Sequence, residues 1–379
     1  MDLTEVRKQI DGIDEELTRL FVKRMELSKE VAEIKKKNGL NVLNSERERR
    51  IVISETSKMP DDVKLFGKQF YQGIFGLSKA YQSRTVQAES ETLKAVKNAL
   101  KDGYTPFPDS ATVACQGVLG AYSQIAADKL IPLASVTYFK DFNGVFSAVE
   151  KGMCKYGILP IENSSVGSVN AVYDLMLKHK FYIVKAVKLR VSHCLLAKKG
   201  VKESDVKEVF SHEKAIEQCS EILKKLNVKI TVCENTAVAS RMVAESDRKD
   251  IACISSRECA DIYGLDILKT NVHDSENNYT RFILISKDLE IIEGADKISI
   301  MANLKHEAGS LNNVLNRFSA QGLNLTKIES RPIPTSVFEF AFYFDFEANV
   351  THPDVQGLIS ELEGACEKFV FLGSYPEKA

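Results

Sequence analysis

The N-terminal forty residues carry an apolar repeat that is typical of one long helix. Its members follow one another at alternating steps of four and three, with one interruption at Arg24: Val6, Ile10, Ile13, Leu17, Leu20, Leu27, Val31 and Ile34. Such spacing aligns side chains along the stripe that a helix packs against other helices. At 1.5 Å per residue this helix would be about 50 Å long. A small helical domain cannot bury such a rod alone, so the repeat predicts a helical dimer, or a higher homo-oligomer.

The apolar pattern divides the rest of the chain into segments. Residues 1–84 read as helices only, with a second helix from Ser45 and a third from about residue 62. Residues 85–110 have the composition of a linker. From residue 111 to 287, short buried strands alternate with helices, which predicts an α/β domain.

The last segment, residues 296–376, orders its elements as βαββαβ, which predicts a ferredoxin-like α+β unit. Phenylalanine recurs at every second position from Phe338 to Phe346. Because side chains alternate along a strand, one face of this strand is predicted to lie in a core or an interface.

Composition and charge exclude several classes of function. The formal net charge is −1 and the pI about 6.6, whereas general binding to nucleic acid or a membrane surface requires a basic excess. The N-terminus lacks the apolar core of a signal peptide, and no apolar run approaches the length of a membrane span. The eight cysteines form no C-x-x-C pair. We therefore expect a cytoplasmic protein with reduced thiols, and no metal or other cofactor.

Charged side chains interrupt the apolar pattern of the helical segment. Arg24 occupies a position of the apolar repeat, and Arg7 and Lys35 lie on one flank of the same helix. Each of them alone is explained by snorkelling to solvent. Other polar residues on the second and third helices could converge with them: Arg47, Glu48 and Gln82. Cations and an amide in a bundle core suit a small dicarboxylate, and no paired base, nucleophile or metal accompanies them.

These residues give segment 1–84 a resemblance to the all-helical chorismate mutases. The resemblance is carried by Arg7, KRMEL with Arg24, Lys35, SERERR with Arg47 and Glu48, and Ser78-x-x-x-Gln82. It implies a dimer of long helices in which each active site borrows an arginine from the partner. It also implies a pericyclic rearrangement of chorismate to prephenate, for which positioning and electrostatics suffice.

The same resemblance implies a role for each polar residue of the helical segment. Arg24 and Arg47, with Arg7 of the partner subunit, would bind the carboxylates of chorismate. The remaining substrate-binding residues are Lys35 and Gln82 at the ether oxygen, Glu48 at the ring hydroxyl, Ser78, and Asn44. Members of the family usually have aspartate where this chain has Asn44, and an amide still hydrogen-bonds a hydroxyl.

The middle segment resembles prephenate dehydratase. The motifs that carry this resemblance are QGxxGAYS (116–123), PIENSSVGSV (160–169), HCLL (193–196), SHEKAIEQC (211–219) and NYTRF (278–282). The implied fold has two α/β lobes, like a type II periplasmic binding protein, with the ligand cleft between them. The first lobe would take residues 111–188 with a return at 263–286, and the second lobe residues 189–262.

This resemblance also implies which residues act on prephenate. Thr280 is the essential residue of the family motif, and it would assist the departing ring hydroxyl. The other predicted substrate-binding residues are Glu162, Asn163, Ser164, Ser211, Gln218 and Arg281. Taken alone, Ser211 is most simply a helix N-cap, and Thr280 with its neighbours a turn before a buried strand.

The last segment resembles the regulatory ACT domain, which binds phenylalanine at a dimer interface in this family. GSLN (309–312) stands where dehydratases usually show GALV, and ESRP (329–332) is intact. The predicted phenylalanine-binding residues are Gly309, Ser310, Leu311, Asn312, Glu329, Ser330, Arg331 and Pro332. The order of mutase, dehydratase and ACT domains resembles the bifunctional enzymes of phenylalanine biosynthesis.

Two other interpretations remain open at this point. A two-lobed binding protein with an ACT domain could sense an amino acid without catalysing a reaction, although the polar residues of the first helix argue against it. An enzyme with a degenerate mutase is the second, and Asn44 would be its first sign. Formation of phenylpyruvate from chorismate would exclude the first, and a comparison with prephenate as substrate would identify the second.

Overall fold

The computed structural model describes residues 2–38, 45–86, 90–275, 277–333 and 339–378. The N-terminal part is helical, as predicted, and consists of α1 (Leu3–Lys37), α2 (Ser45–Thr56), α3 (Lys64–Val86) and α4 (Glu91–Ala99). Helix α3 packs along α1, and α2 packs on α3. None of the described helices is both long enough and apolar enough to span a membrane.

The apolar repeat of α1 is uncovered in the single chain. Ile13 is 60 % exposed, Leu27 52 % and Ile34 57 %, and on α3 Phe66 and Phe70 are exposed as well. Soluble proteins rarely leave a continuous apolar surface of this kind in water unless another surface covers it. The exposed apolar face of α1 and α3 is therefore the kind of surface that a helical partner would cover.

The α/β part is built on two sheets. The first-lobe elements that precede the crossover are β1 (Ser110–Gln116), α5 (Tyr122–Leu130), β2 (Leu133–Phe139), α6 (Phe142–Glu150), β3 (Tyr156–Asn163), β4 (Gly167–Ser168), α7 (Asn170–Met176) and β5 (Tyr182–Arg190). The second-lobe elements are β6 (Cys194–Ala197), β7 (Glu208–His212), α8 (Glu213–Gln218), α9 (Ser220–Leu226), β8 (Lys229–Cys233), α10 (Thr236–Glu245), β9 (Ile251–Ser255), α11 (Arg257–Tyr263) and β10 (Asp266–Lys269). The chain then returns to the first lobe with β11 (Tyr279–Ser286).

The two sheets differ in strand order, and the order fixes where the chain crosses between lobes. The first sheet contains β5-β11-β3-β1-β2, and the second runs β10-β6-β9-β7-β8. Because β10 pairs with β6, the return lies after Lys269 and not at residue 263 as we predicted. The outgoing and returning segments lie side by side: the Val191 N–H donates to Asn278 O at 2.8 Å, and the Val272 N–H to His193 O at 2.9 Å.

Successive residues of β3 and β11 face opposite sides of the first sheet. The two strands are antiparallel, with Thr280 opposite Asn163 and Arg281 opposite Glu162. Residues opposite each other share a face, whereas neighbours along a strand do not. Thr280 and Asn163 therefore share one environment, and Arg281 and Glu162 share another.

The C-terminal unit has the predicted βαββαβ order. Its elements are β12 (Lys297–Asn303), α12 (Ser310–Ala320), β13 (Leu325–Pro332), β14 (Phe340–Glu347), α13 (Pro353–Ala365) and β15 (Lys368–Tyr375), in a sheet ordered β13-β14-β12-β15. On β14, Phe342, Phe344 and Phe346 pack into one core with residues of α12 and α13. Ala341 and Tyr343, on the other face of β14, belong to the core of the first lobe. One face of this strand therefore packs in the core of the C-terminal unit, and the other packs against the first lobe.

The sheet of the C-terminal unit lies directly on the first lobe. Gly373 has φ +147°, and a Cβ there would lie 2.3 Å from the carbonyl oxygen of Ile183 on β5. Glycine is therefore required for β15 to approach β5 this closely. The next strand, β16 (Glu377–Lys378), joins the first-lobe sheet in parallel beside β5. The C-terminal unit thus adds a strand to the lobe on which it packs.

Candidate active sites

Polar side chains of α1, α2 and α3 converge beside the C-terminal half of α1. The Arg24 guanidinium donates to Ser78 Oγ and lies 5.6 Å from the ring centroid of Phe75. Glu48 on α2 accepts from Lys79 Nζ on α3 at 3.1 Å. The structure therefore brings predicted residues of three separate helices together, and this cluster of side chains is called the helical pocket.

The electrostatics of this helical pocket favour an anionic ligand. Burial lowers the pKa of Arg24 and of Lys35, and the charge of Arg47 lowers both further, whereas Glu48 acts in the opposite sense. Like charges gathered around one carboxylate attract an anion. Gln82 is 9 % exposed, and its Oε1 atom has no hydrogen-bond partner among the described residues. A buried polar atom of this kind is usually completed by water or a ligand.

Arg7 is not part of the pocket that the single chain forms. Arg7 is exposed near the other end of α1, about 26 Å from Arg24 at 1.5 Å per residue. Its side chain cannot span that distance, so it does not reach the pocket of its own chain. Asn44 lies outside the described residues.

The second site forms around Thr280 at the start of β11. Thr280 is 9 % exposed, and its Oγ1 accepts from Asn163 Nδ2 at 2.9 Å. The Oδ1 atom of Asn163 accepts from the backbone N–H groups of Ser165 and Val166, both at 3.0 Å. These two donors occupy the carbonyl end of the amide, so its nitrogen has to face Thr280. The threonine oxygen is thus an acceptor, and its own proton is left to be donated elsewhere.

A chain of amides continues from Asn163 into the second lobe. Asn163 Nδ2 also donates to Asn278 Oδ1 at 2.8 Å, and Asn278 Nδ2 donates to Gln218 Oε1 at 3.0 Å. His193 Nε2 lies 3.1 Å from the same glutamine oxygen. Our sequence prediction includes Asn163 and Gln218 but omits Asn278 and His193. Their membership of the NYTRF and HCLL motifs was the one signal that pointed to them.

Two predicted hydroxyl groups bind backbone atoms instead of Thr280. The Ser164 hydroxyl bridges segment 277–279, donating to a carbonyl oxygen at 2.6 Å and accepting from an N–H at 2.9 Å. Ser211 is fully buried, and its Oγ donates to Ile254 O at 2.7 Å. Ser211 lies on β7, and the N-cap of α8 is His212, so the N-cap reading of Ser211 was wrong.

Arg281 does not face Thr280, contrary to its predicted role as a substrate ligand. Arg281 is 7 % exposed, and it donates to Asp345 Oδ2 and Glu377 Oε1, each at 2.5 Å, and to the Tyr375 hydroxyl at 2.9 Å. The alternation of side chains along β11 turns it towards the C-terminal unit. Its guanidinium is therefore an anchor between domains.

Glu162 is displaced from the predicted site for the same reason. Its Oε1 accepts from Lys327 Nζ on β13 at 2.8 Å. Lys327 Nζ also donates to Ser168 Oγ at 2.7 Å, and Ser168 Oγ donates to Glu329 Oε2 at 2.6 Å. This polar cluster joins the C-terminal unit to β3 and β4, directly behind Asn163.

The alternation of β13 divides the ESRP sequence between two faces. Glu329 and Arg331 face the first lobe, where Arg331 donates to Asp174 through two hydrogen bonds of 2.9 and 3.0 Å. Ser330 and Pro332 lie on the other face, opposite Phe342 and Phe340 of β14.

A cavity of about 340 Å³ lies on the face of the C-terminal sheet that carries Ser330 and Pro332. Its lining includes Leu304, His306, Ser310, Leu311, Phe340 and Phe342. Gly309 precedes α12 with φ +88°, a conformation that strains any residue with a side chain. This turn places Ser310 and Leu311 at the cavity, whereas Asn312 is exposed and is absent from the cavity lining.

Comparison with known proteins identifies both catalytic domains. The family model "Chorismate mutase type II" matches residues 6–83, and "Prephenate dehydratase" matches residues 113–290. The bifunctional chorismate mutase/prephenate dehydratase of Aquifex aeolicus (strain VF5) is 32% identical over 380 residues, covering 99% of this chain and 98% of the relative. Arogenate dehydratase 2 of Petunia hybrida is 38% identical over 281 residues, covering 70% and 71% of the two chains.

A solved structure extends the similarity to the fold. The prephenate dehydratase of Arthrobacter aurescens, in complex with L-Phe, superposes with a TM-score of 0.65 and 27% identity, covering 70% of this chain and 90% of that one. The prediction of a mutase and a dehydratase on one polypeptide is thus confirmed, and the chain belongs to the family of bifunctional chorismate mutase/prephenate dehydratases.

Proposed function

We propose that Thr280 is the hydrogen-bond donor that assists departure of the ring hydroxyl from prephenate. The observation that carries this proposal is the hydrogen bond from Asn163 Nδ2 to Thr280 Oγ1 at 2.9 Å. With its oxygen occupied as an acceptor, the hydroxyl directs its proton towards the cleft. The C–O bond of the leaving hydroxyl breaks as the carboxylate C–C bond releases its electrons into the ring. Carbon dioxide and a hydroxide stabilised by the Thr280 hydrogen bond leave behind an aromatic product, and the hydroxide takes a proton from solvent to become water.

A neutral hydroxyl suits this reaction better than a carboxylic acid. The substrate carboxylate loses its charge as carbon dioxide departs, and a second carboxylate beside it would repel the ground state and remain charged after giving up its proton. Threonine is a weak acid, so it acts through a positioned hydrogen bond that strengthens as negative charge grows on the leaving oxygen.

Replacement of Thr280 by valine tests this role, because valine is nearly the same size and lacks the hydroxyl. We expect Thr280→Val to lower the dehydratase kcat by about 10²–10⁴-fold with little change in KM. Thr280→Ser, which keeps the donor, should retain most of the activity. Mutase turnover and thermal stability, measured on the same preparations, should stay at the wild-type level. Wild-type kcat in the valine variant would leave Thr280 with a structural role only.

For the mutase we propose that chorismate binds in the helical pocket of α1, α2 and α3. Arg24 and Arg47 bind the carboxylates, and Glu48 binds the ring hydroxyl. Lys35 and Gln82 face the ether oxygen, where negative charge develops as the C–O bond breaks. Two observations support this assignment: the convergence of like charges, and a Gln82 Oε1 atom without a hydrogen-bond partner among the described residues.

The mutase site is completed, in this proposal, by a second copy of the chain. The exposed apolar face of α1 and α3 is the dimer interface, and Arg7 of the partner subunit supplies the further carboxylate ligand. Two features support this: the exposure of Ile13, Leu27 and Ile34, and the distance of about 26 Å from Arg7 to the pocket of its own chain.

We assign the C-terminal unit, residues 296–376, to the ACT class, with phenylalanine as its effector. It follows a mutase domain (1–84), a linker (85–110) and a dehydratase domain (111–287). The cavity beside Gly309 has the volume for a small amino acid, and its lining combines Phe340 and Phe342 with charged residues that include Lys305 and Glu339. The Arthrobacter aurescens relative was solved with L-Phe. Phenylalanine then inhibits the dehydratase, because Glu329 and Arg331 connect this unit to the dehydratase lobe.

The cellular location is the remaining part of the proposal. All eight cysteines are unpaired, and seven of them are buried. Thiols persist in this form in reducing compartments, so we assign the enzyme to the cytoplasm.

A further inference from the structure

The amide chain behind Thr280 has an order of donors and acceptors that is determined from its Asn163 end. At one end, the backbone N–H groups of residues 165 and 166 occupy Asn163 Oδ1. At the other end, Gln218 Oε1 accepts from Asn278 Nδ2 at 3.0 Å and lies 3.1 Å from His193 Nε2. Asn278 connects the two ends, since its Oδ1 accepts from Asn163 Nδ2 at 2.8 Å.

Only one orientation of the Asn278 amide satisfies these contacts. If the amide turned over, its nitrogen would face the nitrogen of Asn163, and its oxygen would face the oxygen of Gln218. One contact would then place donor against donor, and the other acceptor against acceptor. Asn163 and Gln218 would each lose a hydrogen bond to Asn278, and this loss is costly because Asn278 is buried, at 2 % exposure. The observed orientation uses both N–H bonds of Asn163, one on Asn278 and one on Thr280.

We propose that Asn278 and His193 are positioning residues of the dehydratase, an inference that rests on the role proposed above for Thr280. Asn278 holds the Asn163 amide so that it donates to Thr280 Oγ1. His193 holds Gln218 so that Asn278 cannot turn over. Neither residue touches the substrate in this proposal; both act by keeping the threonine proton aimed at the leaving hydroxyl.

The chain also passes through the connection between the two lobes. Gln218 ends α8 of the second lobe, whereas Asn163 ends β3 of the first. His193 and Asn278 lie on the two crossing segments, whose backbones are hydrogen-bonded side by side. The Gln218 carbonyl oxygen accepts from the Asp274 N–H at 2.7 Å, which attaches α8 to the returning segment. Thr280 is therefore oriented by a chain of hydrogen bonds that requires both lobes.

His193 is suited to hold this chain and unsuited to exchange protons near neutral pH. It is 3 % exposed, and burial lowers its pKa to about 4, although its hydrogen bond to Gln218 acts in the opposite sense. Its neighbours His273 and His212 lower the pKa further. Because Gln218 Oε1 is an acceptor, the proton of neutral His193 lies on Nε2. The Nδ1 atom is buried and has no hydrogen-bond partner among the described residues.

The first test is a double-mutant cycle between Asn278 and Thr280. We expect Asn278→Ala to lower the dehydratase kcat of the full-length enzyme by about 10–10²-fold, with KM for prephenate nearly unchanged. In a Thr280→Val background the same change should lower the residual kcat by less than about twofold, because the hydroxyl that it orients is gone. Equal losses in both backgrounds would show a general structural role and overturn the proposal.

The second test concerns His193 and remains decisive if Asn278→Ala fails to fold. We expect His193→Leu, which removes the donor, to lower the dehydratase kcat by about fivefold to tenfold. His193→Gln carries an N–H group near the position of Nε2 and should restore kcat to within about twofold, with the pH profile of the wild type. If the glutamine variant no longer showed one of the pH-dependent falls in kcat that the wild type shows, His193 would be an acid or base, and the positioning role would be overturned.

Ser192→Ala is the matched control for both tests. Ser192 precedes His193 on the same crossing segment, and its hydroxyl donates to Asn271 Oδ1 at 2.9 Å, outside the amide chain. Its loss should leave the dehydratase kcat near wild type. Mutase turnover, measured on each variant, reports whether the chain is folded. Wild-type kcat in both Asn278→Ala and His193→Leu would refute the positioning role alone, whereas wild-type kcat in Thr280→Val would refute the proposed function beneath it.

Discussion

The two sites of this chain differ in how far one copy of the polypeptide completes them. Around Thr280, hydrogen bonds within the chain occupy the side chains on both sides of the sheet. In the helical pocket, the charge of Arg47 lowers the pKa of both Arg24 and Lys35, and the adjoining apolar face of α1 is exposed. The side chains of one site are satisfied by the fold of their own chain, whereas the other site leaves an apolar face that we propose a second copy of the chain covers.

The difference follows from the elements that build each site. Paired strands fix the neighbours of a residue on both faces through backbone register, so donors and acceptors meet inside the sheet. Three helices that cross in a small bundle present only one stripe each to the shared core. The remaining apolar stripe of a 35-residue helix is left exposed in the single chain.

The largest expected effect tests whether the buried charges of the dehydratase half are neutralised within the chain. Glu377 contacts Arg281 at 2.5 Å, Lys297 at 2.6 Å and Lys188 at 3.1 Å. We expect Glu377→Gln to lower the free energy of unfolding of this half by about 3–5 kcal/mol at pH 7, because buried cations lose their counter-charge. Urea denaturation measures it. Glu208→Gln is the control, since the partners of Glu208 are largely exposed and its loss should cost less.

The same variant predicts a pH dependence with a definite sign. Burial alone would raise the pKa of Glu377, but Arg281 and Lys297 outweigh it and lower the pKa to about 2, from 4.5. A depressed pKa contributes stability that is complete above the unfolded value and is lost as pH falls through the folded one. The difference between wild type and Glu377→Gln should therefore shrink between pH 5 and pH 2. A constant difference across this range would contradict the assigned ion pairs.

The second prediction tests whether two chains share each mutase site, as the contrast between the two sites requires. Arg7→Ala and Lys35→Ala should each lose mutase activity, by about 10²–10³-fold for Lys35, which faces the developing charge. After subunit exchange of an equal mixture, about a quarter of all sites should be intact, since each mixed dimer holds one complete site and one doubly deficient site. Exchange is verified with labelled subunits. No recovery under proven exchange would place both residues in one chain's site.

The third prediction concerns the polar cluster behind Asn163. Glu329→Gln should still bind phenylalanine but should lose most of the inhibition of the dehydratase, because it weakens the contact with Ser168 on β4. The coupling at stake is typically about 5–150-fold in affinity. Titration calorimetry measures binding, and dehydratase assays with phenylalanine measure inhibition. Glu347→Gln, at the exposed end of β14 opposite to Phe340, is the control. Loss of binding itself would assign Glu329 to the effector site.

The smallest expected effect is a shift in the pH profile of the mutase. Burial and Arg47 lower the pKa of Lys35 below 10.5, so this lysine should lose its proton and its catalytic charge as pH rises through the lowered value. The kcat/KM for chorismate should then fall on the alkaline side by about tenfold per pH unit. Lys35→Arg, which stays charged, should move this limb to higher pH. A limb at the same pH in both enzymes would belong to another group.

The periodic patterns of the sequence predicted the architecture, because they record burial directly. The helical repeat predicted α1, and the alternating phenylalanines predicted a strand with one face in a core. The strand β16 beside β5 was not predicted, because two residues carry no periodic signal. The position of the return to the first lobe was misjudged, since β10 is short and its partner β6 is distant in sequence.

For the sites, the sequence predicted which residues matter better than it predicted what each one touches. Asn163 and Thr280 meet although 117 positions separate them, and family motifs singled out both. Arg281 and Glu162 were misplaced because a motif was treated as one site, although successive residues of a strand face opposite ways. Asn278 and His193 escaped prediction because an amide chain is visible only once distant segments are brought together.

The opposed facing of Thr280 and Arg281 has a consequence for insertions and deletions. With the downstream strand held by its buried core, a single residue inserted between Arg281 and Phe282 would exchange the two faces, turning the arginine into the cleft and the threonine towards the domain boundary. Substitutions at either position alter one function, whereas a change of length alters catalysis and domain attachment together. In a library of single-codon deletions, β3 and β11 should be among the least tolerant segments, well beyond what the burial of each residue implies.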